Sequence, residues 1–127
     1  MIVGLGIDAI DIERIARMYA DKGDRMLQRL FRADELAYLA TKPAPAQHLA
    51  VRLAAKEATY KALAGNELAR GIGWRDVEVL TRDDDGAPEL RLHGAARQRF
   101  EELGAVSAFV SLTHSEATAV AVVVIER

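Results

Sequence analysis

The chain has 127 residues, 50% of them hydrophobic and 28% charged, with a formal net charge of -2; this predicts one globular domain over 1–127 and excludes a strongly basic nucleic-acid binder read from bulk charge. It has no cysteine, which excludes disulfide frameworks and thiolate metal or redox sites. No apolar run approaches the ~18 residues of a membrane span, and the first residues lack the basic-then-apolar order of a secretory signal, so a cytoplasmic setting without a membrane partner is expected.

In chain order, Met1 to Ile7 reads as a strand with Gly4 and Gly6 set among apolar residues. Glycines inside a strand mark close approach of backbone or ligand. Asp8 is expected to end that strand, and Asp11 to cap a helix with Ile12, Ile15, Ala16 and Tyr19 on its apolar stripe. Gly23 and Asp24 stop it, Met26 to Phe31 suggests a short amphipathic turn, and Asp34 to Ala40 a further helix that ends before Pro43. Ala46 to Leu63 carries the longest helical period, with Gly65 where a C-cap belongs. Trp74 to Leu80 then reads as a strand, Asp83 to Gly86 as a hairpin turn and Pro88 to Leu92 as the returning strand. Gly94 to Leu103 resumes a helix, and Val106 to Leu112 and Ala117 to Ile125 are two strands, the second apolar enough to be central and covered on both faces. Helices gather in the first half and strands in the second, which predicts an α+β fold.

Several polar residues exceed what a core needs. Gly4-Leu5-Gly6-Ile7-Asp8 lacks the third glycine of a dinucleotide loop. Asp8 reads either as a helix cap or as a magnesium-binding carboxylate at the rim of a sheet. Glu57 and Lys61 stand four apart on the long helix, as an exposed ion pair would, and Arg52 and Lys56 are two like charges at the same spacing that an anion would reconcile. His48, His93 and His114 read as falling in unrelated settings, which argues against a zinc site, and Ser111 and Ser115 lack a nucleophile elbow. Carboxylates, lysines, arginines and one histidine suit a polyphosphate substrate with a divalent cation.

These residues together resemble the holo-acyl-carrier-protein synthases, the small bacterial type of 4′-phosphopantetheinyl transferase. The resemblance rests on Gly4 to Asp8 with Glu13-Arg14-Ile15, Phe31 with Glu35, and Arg52-Leu53-Ala54-Ala55-Lys56-Glu57-Ala58 through Lys61-Ala62-Leu63. It continues through Trp74, Asp76, Glu78, Val79, Gly86, Pro88, Leu90 and Gly94 to Ser111-Leu112-Thr113-His114-Ser115, and so spans nearly the whole chain. It implies a long central helix packed on a mostly antiparallel sheet. The implied reaction moves the 4′-phosphopantetheine arm of coenzyme A to a serine of apo acyl carrier protein, releasing adenosine 3′,5′-bisphosphate in support of fatty acid biosynthesis. Asp8 and Glu57 are the implied Mg2+ ligands, and with Lys61 the implied catalytic set. Lys42, Arg52, Lys61, Thr113 and His114 are the implied coenzyme contacts, with the loop from Asp83 to Pro88 near the adenosine. Arg14, Arg17, Arg25 and Arg29 are the implied face for the acidic carrier, and a homotrimer with sites at subunit interfaces is the implied assembly.

Ile10 stands where larger relatives carry a third carboxylate, so water is expected to complete the metal shell. Leu53 and Thr113 stand where phenylalanine and serine are common. The base for the serine proton stays open among a water at the metal, Glu57, Asp34 and Glu35. Three other functions remain open: a catalytically inactive carrier-binding module, a transferase whose main acceptor is a polyketide or peptidyl carrier domain, and a generic nucleotide-binding protein.

Overall fold

A computed structural model describes residues 1–127. Strand β1 spans Ile2–Asp11, and helices α1 (Ile12–Lys22), α2 (Asp24–Leu30), α3 (Ala33–Ala40) and α4 (Pro45–Leu63) follow. A single turn, α5 (Glu67–Arg70), leads to β2 (Val77–Thr81), β3 (Pro88–Leu92), α6 (Gly94–Glu102), β4 (Ser107–His114) and β5 (Thr118–Glu126). The strands form two antiparallel sheets, one ordered β1-β5-β4 and the other β2-β3.

Strand β1 runs past its expected end because its pairing with β5 continues to Asp11 opposite Thr118. Asp8 is therefore inside the strand and caps nothing. Capping falls to Asp11, whose Oδ1 accepts from the Glu13 backbone N–H at 3.1 Å. The expected strand at Trp74 begins three residues later. Trp74–Asp76 is a 3-10 turn, closed where the Gly73 N–H donates to Asp76 Oδ2 at 2.9 Å. The short α5 was not expected; Asn66, whose Oδ1 accepts from the Ala69 N–H at 2.9 Å, was its one signal.

Helix α4 is enclosed by the rest of the chain, with every residue from Leu49 to Lys56 buried. Ala54, Ala55, Ala58, Ala62 and Leu63 pack with Val77, Val79, Ala121, Val123 and Ile125, while Leu49, Ala50, Val51 and Leu53 pack with Ile15, Met26, Phe31 and Leu39. Its alanines and the glycines of β1 answer one another. A Cβ built on Gly6 would overlap the Ala58 carbonyl oxygen, and one on Gly4 the Ala62 carbonyl oxygen. The close approach that the glycines signalled is thus backbone against backbone. Gly6→Ala is expected to destabilise the fold by about 2–3 kcal/mol, since neither main chain yields readily, and urea unfolding measures it.

β5 is the central strand, but only one face is covered. Ala119, Ala121, Val123 and Ile125 are buried, whereas Val120, Val122 and Val124 on the outer face are half-buried. Beside them Leu5, Ile7 and Phe109 are 64%, 60% and 55% exposed.

Candidate functional site

The approach of β1 to α4 sets the first cluster. Lys61 Nζ donates to Asp8 Oδ1 at 3.0 Å and to the Ile7 carbonyl at 3.0 Å. The exposed pair expected between Glu57 and Lys61 does not form, because Lys61 turns to Asp8 instead. Glu57 lies one turn before Lys61 on the same face, half-buried and without an ion pair or hydrogen bond. It lines a cleft of about 230 Å³ with Tyr60, Arg70 and Trp74. Nowhere do three or more His, Cys, Asp or Glu side chains gather as a metal cage. Asp8 and Glu57 are hard oxygen donors that are partly but not fully sealed from solvent, and magnesium retains much of its hydration when held by one or two carboxylates. Ile10, at the position of the third carboxylate, packs into the core.

A second cluster surrounds Tyr38. The Arg52 guanidinium lies 4.2 Å and the Lys42 ammonium 4.8 Å from the centre of its ring, and His48 meets it edge-on at 6.1 Å. Arg52 is buried; its Nη2 donates to Thr81 Oγ1 at 2.9 Å, its Nη1 to the His48 carbonyl at 3.3 Å, and its Nε has no partner. A buried donor without an acceptor is costly, which an arriving anion would relieve. Burial alone would raise the Tyr38 phenol, but Arg52 and Lys42 outweigh it and hold its pKa below the usual value. Burial, then Arg52, Lys42 and His114, push the His48 imidazole down.

The histidines are therefore not all in unrelated settings. His114 takes a hydrogen bond from the Gln47 amide at 2.8 Å and sits near enough to His48 to act on its charge. Lys42, Arg52 and His114 thus converge, and Tyr38, Gln47, His48 and Thr81 join them from outside the expected set. The spacing of four between Tyr38 and Lys42, and between His48 and Arg52, was the available signal. Thr113 does not join: alternation along β4 puts it on the exposed outer face with Ser111 and Phe109. A groove of about 700 Å³ runs from Tyr38 and Thr81 to Asp83 and Asp84 of the hairpin loop.

The anion that reconciles Lys56 with Arg52 is internal. Lys56 Nζ donates to Glu35 Oε1 at 3.0 Å, to the Trp74 carbonyl at 3.0 Å and to the Val77 carbonyl. Glu35 also accepts from the Arg32 N–H at 2.9 Å and the Val79 N–H at 3.0 Å. Burial pushes the Lys56 ammonium below its usual pKa against the pull of Glu35. Glu35 is sealed in the core, which removes it as the base for an incoming serine. Glu78 is buried as well and bonded to His93 at 2.9 Å.

Arg14, Arg17, Arg25 and Arg29 are all exposed on α1 and α2. Only Arg17 has an acidic neighbour, Glu13, at 4.0 Å. Arg25 and Arg29 line a shallow depression with Met18 and Leu30. No helix is long and apolar enough to cross a membrane.

A family model described as the 4′-phosphopantetheinyl transferase superfamily matches residues 4–123. A holo-[acyl-carrier-protein] synthase of Geobacter metallireducens is 47% identical over 127 residues, covering 100% of this chain and 99% of the relative. Among solved structures, the holo-[acyl-carrier-protein] synthase of Neisseria meningitidis matches with a TM-score of 0.86 at 30% identity, covering 100% of both chains. That of Bacillus anthracis, in complex with CoA (3′,5′-ADP), matches with a TM-score of 0.78 at 32% identity over 99% of this chain and 97% of that one.

Proposed function

The chain belongs to the 4′-phosphopantetheinyl transferase superfamily, and from that premise we propose that residues 1–127 act as a holo-acyl-carrier-protein synthase domain in the cytoplasm. It transfers the 4′-phosphopantetheine arm of coenzyme A to a serine of apo acyl carrier protein, in support of fatty acid biosynthesis. The observation that supports the site assignment is the contact of Lys61 with Asp8, with Glu57 one helical turn before Lys61; the buried Arg52, whose Nε lacks an acceptor, adds a cationic pocket.

Asp8 and Glu57 would hold magnesium, which when bound supplies Lewis-acid polarisation of the pyrophosphate. Lys61 gives an ammonium to a phosphate oxygen of the same group. Arg52, Lys42 and His114 bind the remaining phosphate charge, with Tyr38 and Thr81 keeping Arg52 in place. The carrier serine oxygen attacks the phosphorus that bears the pantetheine arm. The phosphoanhydride bond to the nucleotide breaks, and adenosine 3′,5′-bisphosphate departs. The serine proton goes to water or to a carboxylate at this site, Glu57 or the exposed Asp34. Arg14, Arg17, Arg25 and Arg29 offer an acidic carrier a positive face despite the net charge of -2.

The exposed apolar row of Leu5, Ile7 and Phe109 supports assembly through the outer sheet face, in our reading as a homotrimer with its sites at subunit interfaces. Thr113 shares that face, so its coenzyme contact in this scheme depends on the assembly.

The test is chromatographic detection of adenosine 3′,5′-bisphosphate. It is expected to form only with magnesium and apo carrier together; formation without carrier would mean hydrolysis rather than transfer. In the same assay Lys42→Ala is expected to raise KM for coenzyme A roughly fivefold with little change in kcat, because Lys42 binds a part of the substrate that does not react.

A further inference from the structure

In this chain the carboxylate of Asp8 already has a cation. The Lys61 ammonium rests on it at 3.0 Å, while the Asp8 side chain is only 17% exposed. The lysine itself is 50% exposed, and its other contact is the neutral Ile7 carbonyl. Glu57, one turn away, has no cation. The two carboxylates are thus unequally prepared: one is neutralised from within the chain and one waits.

A divalent cation taking Asp8 must share it with this ammonium or displace it. Sharing sets like charges side by side, which is unfavourable even in water. Displacement costs little, because a strongly hydrated ammonium on a flexible stem regains water on the open side. We propose that Lys61 is the resting countercharge of Asp8, that the metal ion displaces it, and that the displaced ammonium is then free for a phosphate oxygen of the substrate. This rests on the assignment of Asp8 and Glu57 as metal ligands. Metal binding and the availability of Lys61 are then linked, so a change in either is felt by the other.

The whole protein is tested free of metal, coenzyme and carrier, with circular dichroism as the check on folding of each variant. Binding of Mn2+ is followed by the resonance signal of the free ion for the wild type, Lys61→Met and Glu57→Gln. Lys61→Met is expected to bind Mn2+ roughly fivefold or more tightly, since a competing like charge is gone, and Glu57→Gln to bind it far more weakly. In wild-type protein, reductive methylation read by peptide mass spectrometry gives a second measure. Magnesium is expected to speed labelling of Lys61 about threefold relative to exposed Lys22, as an amine released from an ion pair would show, while buried Lys56 stays protected.

Unchanged Lys61 labelling overturns the inference, as does Mn2+ binding by Lys61→Met no tighter than wild type. If Glu57→Gln binds Mn2+ as the wild type does, the metal assignment itself fails and the inference with it. If Glu57→Gln loses the ion while Lys61→Met gains nothing, only the displacement is wrong.

Discussion

Glu57→Gln should abolish most transfer while leaving the fold intact. The side chain keeps its size, lies half-buried at the edge of a cleft and makes no ion pair or hydrogen bond that the change would break. Its removal is expected to alter stability by no more than about 0.5 kcal/mol. Its charge, however, is half of the carboxylate pair assigned to magnesium. A metal that stabilises developing charge on the pyrophosphate contributes several kcal/mol to the barrier, so a fall in kcat/KM of about a hundredfold or more is expected. Asp8→Asn should do similar damage, and the double variant should be little worse than either, because the two carboxylates act as a unit. Steady-state transfer kinetics beside thermal unfolding give both halves of the comparison. A Glu57→Gln protein with near-normal kcat/KM would remove Glu57 from the site.

The neighbouring residue should behave in the opposite way. Lys56→Met keeps a long unbranched side chain but deletes an ammonium that is 2% exposed and bonded to Glu35, Trp74 and Val77. Glu35, 1% exposed, would be left as an unbalanced buried carboxylate. Breaking a buried pair from one side costs about 3–5 kcal/mol, so a large drop in the urea midpoint is expected. Lys56→Met combined with Glu35→Gln should recover much of the loss, since both charges are then gone. A single variant within about 1 kcal/mol of wild type would show that the pair does not hold α3, α4 and β2 together as its geometry implies.

Adjacent residues of one helical motif thus divide: Lys56 is sealed in the scaffold, whereas Glu57 borders an open cleft. That division was not legible in the sequence. Lys56 and Glu57 are both charged, and only the fold brings Glu35 across to one of them, so the anion reconciling Lys56 with Arg52 turned out to be part of the protein. The helical period of α4 was legible in Leu49, Leu53, Tyr60 and Leu63, whereas β5, whose apolar run reads as covered on both faces, is covered on one. What local patterns could not supply was the partner across the fold. The end of β1 was misplaced because pairing with β5, not Asp8, decides it. Trp74 was expected in a strand, yet its carbonyl is turned to Lys56 and its segment is a 3-10 turn. Glu78, between two valines of β2, is buried against His93, a partner 15 residues away that no local pattern names.

The site divides in the same manner. Asp8, Glu57, Lys61, Arg52 and His114 were reached through resemblance in sequence, whereas Tyr38, Gln47, His48 and Thr81 became visible only when α3, α4, β2 and β4 were assembled. Asp8 and Lys61 are 53 residues apart, and their contact depends on Gly6 admitting the helix.

The most direct measurement is intact-mass spectrometry of apo acyl carrier protein incubated with this protein, coenzyme A and magnesium, beside reactions without metal and with Glu57→Gln. A gain of about 340 Da, the formula mass of the transferred arm, is expected on the carrier only where magnesium and Glu57 are both present, as Lewis-acid activation of the phosphoanhydride requires. A carrier that binds the protein but gains no mass under the complete conditions would contradict the account. The chain would then be a docking module or a transferase for another carrier domain.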